Sequence, residues 1–458
     1  MKNKIASALV LISLLSACSD KFTDLSPISQ RNVNDFYKDG NDMTGAINSV
    51  YKALHQNGTY NQSYWVMSEM RSDNTDGGAD QTGLGANMNI IDNFGENAAT
   101  AEIINSAYLD TYVGIARANL VLSRIGAVSM DDALKNRIKG EALFLRSLFY
   151  YNLAVNFGRV PLVLSEISTE EGKAYPQVPA SDIYKQLIAD LIQAEGLLTT
   201  KYTGVNVGRA TKGAAATLLA KIYLTTGDKT SAATVLRRII GTYGYVLTPN
   251  YANIWGISNK NNAESIFEVQ FKGGGSNTGN TFTNAFSALL IQTTGGYKNR
   301  PTPEMQAAYE AGDRRFAISM NPLNGPLNIG RFILKYGITN PFPENDADYN
   351  FIVFRYADLL LMLAEALGET TESYSLINQV RTRAGLANIS ASTSGTFADK
   401  LLRERRVELA FENHRWPDLL RFGKAKEIMA LQGKTAKLLF LIPQRELDIN
   451  STYTQNPQ

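Results

Sequence analysis

Apolar residues recur at spacings of three and four over long stretches of the chain. Ile183, Leu187, Leu191, Ala194 and Leu198 share one helical face, and Ser181 is placed to cap its start. Thr211 is positioned to cap KGAAATLLAKIYLTT and Gly227 to end it. Asp228 then stands to cap KTSAATVLRRII, with Gly241 at its end. So short a connection predicts an antiparallel helix hairpin, and Ala214, Ala215 and Ala216 allow close approach. FRYADLLLMLAEAL before Gly368 and ESYSLINQVRTRA before Gly385 read as a second hairpin of the same kind. Residues 103–123 and 137–156 also carry long helical patterns. Repeated helix pairs predict a mainly α fold, a tetratricopeptide-like stack, although no clean 34-residue consensus is visible.

Three segments break this pattern: residues 71–97, 272–301 and 321–350. They are poor in helix formers, and the second follows ESIFEVQF, which alternates like a strand. Long loops of this kind in a compact fold are functional or disordered. Their Asn, Asp, Arg and Tyr content suits a polar ligand. Tyr60, Tyr64, Trp65 and Tyr297 lie in or beside them, and aromatic faces stack on sugars or other flat apolar surfaces. Trp65 fits a core position and a ligand platform equally well. Tyr297, between Gly295, Gly296 and Lys298, is expected to be exposed.

The N-terminus carries a different signal. Lys2 and Lys4 precede an apolar run, residues 5–15, that is too short to span a bilayer comfortably. Ser16 and Ala17 follow as small cleavage-site residues, and then Cys18, the only cysteine in 458 residues. This order predicts a signal peptide over 1–17 and a polar tether over 18–30. LSAC resembles the lipobox of bacterial lipoproteins, in which the cysteine becomes the acylated first residue of the mature chain. Several acyl chains on one residue anchor stably. Without Lys2 and Lys4 the chain has 43 basic and 43 acidic side chains, and no basic stripe points to nucleic acid.

Catalytic motifs are scarce. Only His55 and His414 exist, so a zinc site built from His and Cys is not expected. Ser276 lacks the following glycine of a nucleophile elbow. GKT at 433–435 lacks the earlier glycine of a phosphate loop, since position 428 is Ile. In RERRVELAFENHRWPDLLRFG, residues 403–423, Glu404, Glu408 and Glu412 recur every four residues. Neighbours on one helical face cannot flank a sugar from both sides across about 5–9 Å, as a glycosidase requires. Arg405, Glu408, Glu412, Arg415, Asp418 and Arg421 place basic and acidic side chains at spacings of three and four. They read as a structural ion-pair network, with His414 as a packing residue.

Seven segments together resemble the RagB/SusD family of nutrient-binding outer-membrane lipoproteins. They are residues 140–163, 208–228, 264–271, 354–367, 377–386, 404–423 and 441–450, in the family's order. One departure is LIP at 441–443, where the family often has PIP. The resemblance implies four tetratricopeptide-like units bearing a variable ligand face over residues 31–458, with an N-terminal helical part to about 245 and a C-terminal part from about 246. It implies no catalysis; no cofactor and no metal ligands are expected among the candidates, with a structural ion in the loops left open. It also implies a glycan ligand, or a peptide in some members, and a SusC-like TonB-dependent β-barrel as partner. Ser19-Asp20 is similar to the short acidic signal that sends such lipoproteins to the outer face of the outer membrane. Ligand residues vary within the family, so Trp65, Arg71, Asp73, Asn74 and Tyr297 are candidates by loop position and chemistry. Ser72 to Asn74 also resembles a recurrent family segment, which suits a structural role.

Overall fold

The computed structural model describes residues 37–78, 83–97, 102–275, 278–288, 296–324, 330–337 and 346–457. The leader, Cys18 and the tether lie outside these. Eight helices follow one another as a frame: α1 (Gly40–Ala53), α2 (Glu102–Arg124), α3 (Asp132–Phe157), α4 (Ala180–Leu197), α5 (Lys212–Thr225), α6 (Lys229–Thr242), α7 (Tyr356–Leu367) and α8 (Thr371–Arg383). Each packs on the next in chain order, from α1 on α2 to α7 on α8, giving four successive pairs. The long excursions fall inside the first pair and between the third and fourth.

Local chemistry sets the hairpin ends. Thr211 accepts a hydrogen bond from the Ala214 amide at 3.2 Å, and Asp228 from Ser231 at 3.0 Å. Gly227, Gly368 and Gly385 turn the chain at φ +83°, +67° and +79°. Two ends differ from the sequence expectation. The extended backbone of Pro179 caps α4, so Ser181 lies inside its first turn. Gly241 lies within α6, because the buried Ile239 and the half-buried Tyr243 carry the helix past it. The chain reverses at Gly244 instead, at φ +78°.

Ala214, Ala215 and Ala216 are fully buried in α5, which packs between α4 and α6. The crossing of α2 and α3 is tighter still. A Cβ on Gly114 would lie 2.5 Å from the Phe149 ring. Short strands tie the excursions together, chief among them β1 (Thr75–Asp76), β2 (Ser265–Val269), β3 (Arg300–Pro301) and β4 (Phe351–Arg355). β2 and β4 pair antiparallel. Every β2 residue except Ser265 is buried, so the strand is covered on both faces rather than half-solvated as its alternation suggested. Helices α9 (Phe397–Glu408) and α10 (Arg415–Arg421) close the C-terminal part. One apolar core runs through all eight frame helices and both long strands. A small second cluster gathers Phe94, Trp416, Leu419 and Met429.

Candidate functional site

The three irregular segments meet on one face. β1 from the first pairs antiparallel with β3 from the second, in register Thr75 to Pro301 and Asp76 to Arg300. Arg300 clamps Asp76 through Nε at 2.9 Å and Nη2 at 3.1 Å, a fork that fixes the register across 224 residues. The third segment joins when Arg331 Nε donates to the Pro301 carbonyl at 2.8 Å. It joins a second time at the bridge between Asn280 and Ala347, with bonds of 2.9 and 3.0 Å. The loop carrying Tyr297 folds back on the short helix Phe282–Phe286. The amides of Tyr297 and Lys298 donate to the Ser287 and Ala285 carbonyls at 2.9 and 2.7 Å. Tyr297 itself adopts φ +50° and is half-buried.

On this face Asp76, Tyr297, Lys298, Arg300 and Arg331 are all partly open to solvent. Burial opposes the Arg300 charge, yet Asp76 and Tyr297 beside it raise its pKa. A ring, an ammonium and two guanidiniums can stack on and hydrogen-bond a hydroxyl-rich ligand. Among the described residues no three His, Cys, Asp or Glu side chains are grouped to hold a metal ion. Of the residues on this face the sequence singled out Tyr297 alone; Asp76, Lys298, Arg300 and Arg331 were not candidates. Their signal is a two-residue strand pairing between distant segments, which leaves no local pattern.

Four other candidates lie beneath this face rather than on it, which corrects the expectation that they touch ligand. Trp65 is 1% exposed; its Nε1 donates to the Asn61 carbonyl at 3.0 Å, and its ring meets Phe286 edge-on at 4.9 Å. It supports the helix from which the Tyr297 loop hangs. Arg71 is fully buried, paired with Glu96 and held between the rings of Phe94 and Phe440 at 4.2 and 4.1 Å. Asp73 receives Arg415 at 2.7 and 2.9 Å and Arg406 at 3.0 Å. Burial raises the Asp73 pKa, but these two guanidiniums more than offset that and hold it below the usual carboxylate range. Asn74 donates to Glu69 at 3.1 Å and accepts from Arg406 at 2.9 Å. The polar run 71–74 is thus a tie between the first irregular segment and the C-terminal helices.

The carboxylates of 403–423 form the centre of that tie. Glu404 and Glu408 lie on α9, but the helix ends there, so Glu412 sits in the following turn beyond Phe411 at φ +66°. The three do not share one helical face. Nor do they pair chiefly within their own segment. Glu408 takes Arg315 at 2.9 Å, Arg355 at 2.5 Å and Arg383. Glu412 takes Lys335 at 2.8 Å and Arg355 at 2.7 Å, and Arg415 takes Asp73. Arg405 reaches Asp418 at 2.8 Å and Asp358 at 2.8 Å. Arg421 reaches Asp418 and Glu365 at 2.8 and 2.6 Å. Burial works against the charge on Glu408, yet Arg383, Arg355 and Arg315 hold it well below the usual range. His414 is pushed down to about 3 by burial and by Lys221, whose Nζ lies 2.9 Å from its Nδ1. These side chains are paired chiefly with one another and closed to solvent.

Comparison with known proteins places this architecture. A family profile described as "SusD family" matches residues 329–437, and one described as "Starch-binding associating with outer membrane" matches residues 21–224. A solved structure titled "Laminarin binding SusD-like protein" is 30% identical, covers 92% of this chain and 100% of its own, and superposes with a TM-score of 0.83. The chain belongs to the SusD family. A surface glycan-binding protein A from Bacteroides thetaiotaomicron, solved with laminarihexaose, shares the fold at TM-score 0.80 and 22% identity, covering 92% of this chain and 100% of its own. "SusD-like protein P2" of Formosa agariphila is 26% identical over 99% of this chain and 96% of its own.

Proposed function

We propose that this protein is a non-catalytic surface lipoprotein that captures a glycan on the face around Tyr297 and passes it to a SusC-like TonB-dependent β-barrel. The convergence of all three irregular segments on one face of a SusD-family frame carries the reading. The likeness to a laminarin-binding SusD-like protein supports a glycan ligand. Capture works by stacking and hydrogen bonding, with no bond broken. The buried carboxylates of the 403–423 segment are engaged with cations, which supports a structural rather than a catalytic role. Cleavage after Ala17 and acylation of Cys18 would hold the protein at the outer face of the outer membrane. No helix among the described residues is long and apolar enough to cross a membrane.

Calorimetry with laminarin and starch oligosaccharides tests the ligand. Tyr297→Ala is expected to weaken the bound glycan about tenfold, since an aromatic contact contributes ~0.5–1.5 kcal/mol beyond its buried area and 1.4 kcal/mol is tenfold. The melting temperature is expected to stay within about two degrees. Binding of peptides and of no polysaccharide would sink the glycan reading. Retention of Cys18→Ala in the membrane fraction would sink the anchor.

A further inference from the structure

An open cavity lined by none of the residues named on the Tyr297 face lies along the last helix of the stack. It is a groove of about 850 Å³ along the outer side of α8. The 247–249 segment, Arg314 and the loop at 388–390 form its other walls. Thr371, Ser375, Asn378, Gln379 and Thr382 recur along α8 at helical spacing, and all line the groove. Of these, Thr371, Ser375, Gln379 and Thr382 are exposed. A terminal helix usually meets water with charged side chains. Here the row is made of hydroxyls and amides.

The charge of the groove is one-sided. Among the described residues no Asp or Glu lines it, whereas Arg314 and Arg383 both do. Arg383 is committed on its inner side to Glu264 and Glu408, but its Nε is buried with no hydrogen-bond partner among the described residues. Arg314 is exposed, and no ion pair holds it among the described residues. It lies against Gly385, where a Cβ would come within 2.8 Å of its Nε. Carboxylates on neighbouring segments are paired with other groups: Asp313 with Arg315 at 2.8 Å, Glu310 with Arg381 at 2.9 Å, Glu369 with Tyr374 at 2.6 Å, and Glu372 with Arg237 at 2.7 Å. Leu247, Pro249 and Ile389 add apolar patches along the walls.

We infer that this groove is a second saccharide site, selective for sugars that carry an oxyanion, a uronate carboxylate or a sulfate ester. Arg314 meets the anion, the amides and hydroxyls of α8 meet the ring hydroxyls, and the apolar patches meet the C–H face. The groove uses different residues and a different ligand charge from the Tyr297 face, so the two sites stand or fall separately.

The test is titration of the purified protein with three hexasaccharides: a galacturonate, a sulfated galactan and neutral laminarihexaose. At least one acidic oligomer is expected to bind, and its affinity to fall at least fivefold between 50 and 300 mM salt. Arg314→Gln should weaken that binding at least tenfold, and Gln379→Ala about threefold. Neither substitution should alter laminarihexaose binding, because both side chains lie outside the Tyr297 face. Uronate binding alone assigns the anion as carboxylate, and sulfate binding alone assigns it as sulfate. Failure of both acidic oligomers to bind, or unchanged binding in Arg314→Gln, overturns the inference. Acidic binding without neutral binding would leave this site standing and count against the glucan reading of the other face.

Discussion

Glu408 shows how a charged residue in this chain differs from what its neighbours in sequence suggest. Three guanidiniums from three distant segments converge on it. Removing one charge from a buried set leaves the others uncompensated, at a cost of roughly 3–5 kcal/mol. Glu408→Gln is therefore expected to lower denaturant stability by about that amount without creating or abolishing any turnover. Its carboxyl is held below its ordinary value, so its stabilising contribution is complete above about pH 4.5 and falls away only as pH drops further. The sequence showed interspersed charges at 403–423 but not their partners, because Arg315, Arg355 and Arg383 lie outside that segment. Arg71, Asp73 and Asn74 misled for the same reason. A polar run flanked by glycine-rich sequence looks solvated until Arg406, Arg415, Glu69 and Glu96 are seen to cover it. Tyr297, expected to be exposed from its glycine neighbours, is half-buried instead, because its loop folds back on the helix Phe282–Phe286.

At the scale of elements, the frame was read well wherever a cap or a close contact has a local chemical signature. Thr211, Asp228, Gly227, Gly368 and Gly385 mark real ends. The α4 start and the α6 end escaped because Pro179 and Tyr243 decide them, one by backbone conformation and one by packing. The α2–α3 crossing depends on a residue with no helical preference of its own. Gly114 leaves room for Phe149, whose ring would lie 2.5 Å from an added Cβ. Alanine there gains about 1 kcal/mol of helix propensity and loses about 1–3 kcal/mol to overpacking. Gly114→Ala should be mildly destabilising and Gly114→Val plainly so, by a drop of several degrees in melting temperature. If Gly114→Val melts like the wild type, the two helices do not cross this closely. β1 and β3 illustrate the opposite limit: two residues each, invisible as periodicity, yet they assemble the candidate face.

Across the whole molecule, buried titratable groups tie the irregular segments to the helical frame, and two of them respond to pH in opposite senses. Glu69 accepts Asn74 Nδ2 at 3.1 Å and the Asn413 amide at 2.7 Å, so it joins the first irregular segment to the turn after α9. Burial pushes its carboxyl up to about 7. Its contribution is full below the unfolded value, near 4.5, and is lost as pH rises through 7. His55, whose ring lies tilted 4.9 Å from that of Phe271, is pushed down to about 4 by burial and then by Lys52. Its contribution is present above about 6.5 and is lost as pH falls toward 4. Comparing each variant with the wild type isolates the group from every other titration. Glu69→Gln keeps one acceptor and loses the other, so it should be about 1 kcal/mol less stable at pH 5. By pH 8 the wild type carries a buried charge worth up to ~3 kcal/mol of penalty that the variant lacks, so the order should reverse. His55→Gln should instead gain on the wild type as pH falls from 7 to 4. Denaturant midpoints at pH 4, 5, 7 and 8 measure both slopes. Parallel curves for Glu69→Gln and the wild type would mean that Glu69 is solvated, and that the tie between the binding face and the frame is looser than its hydrogen bonds indicate.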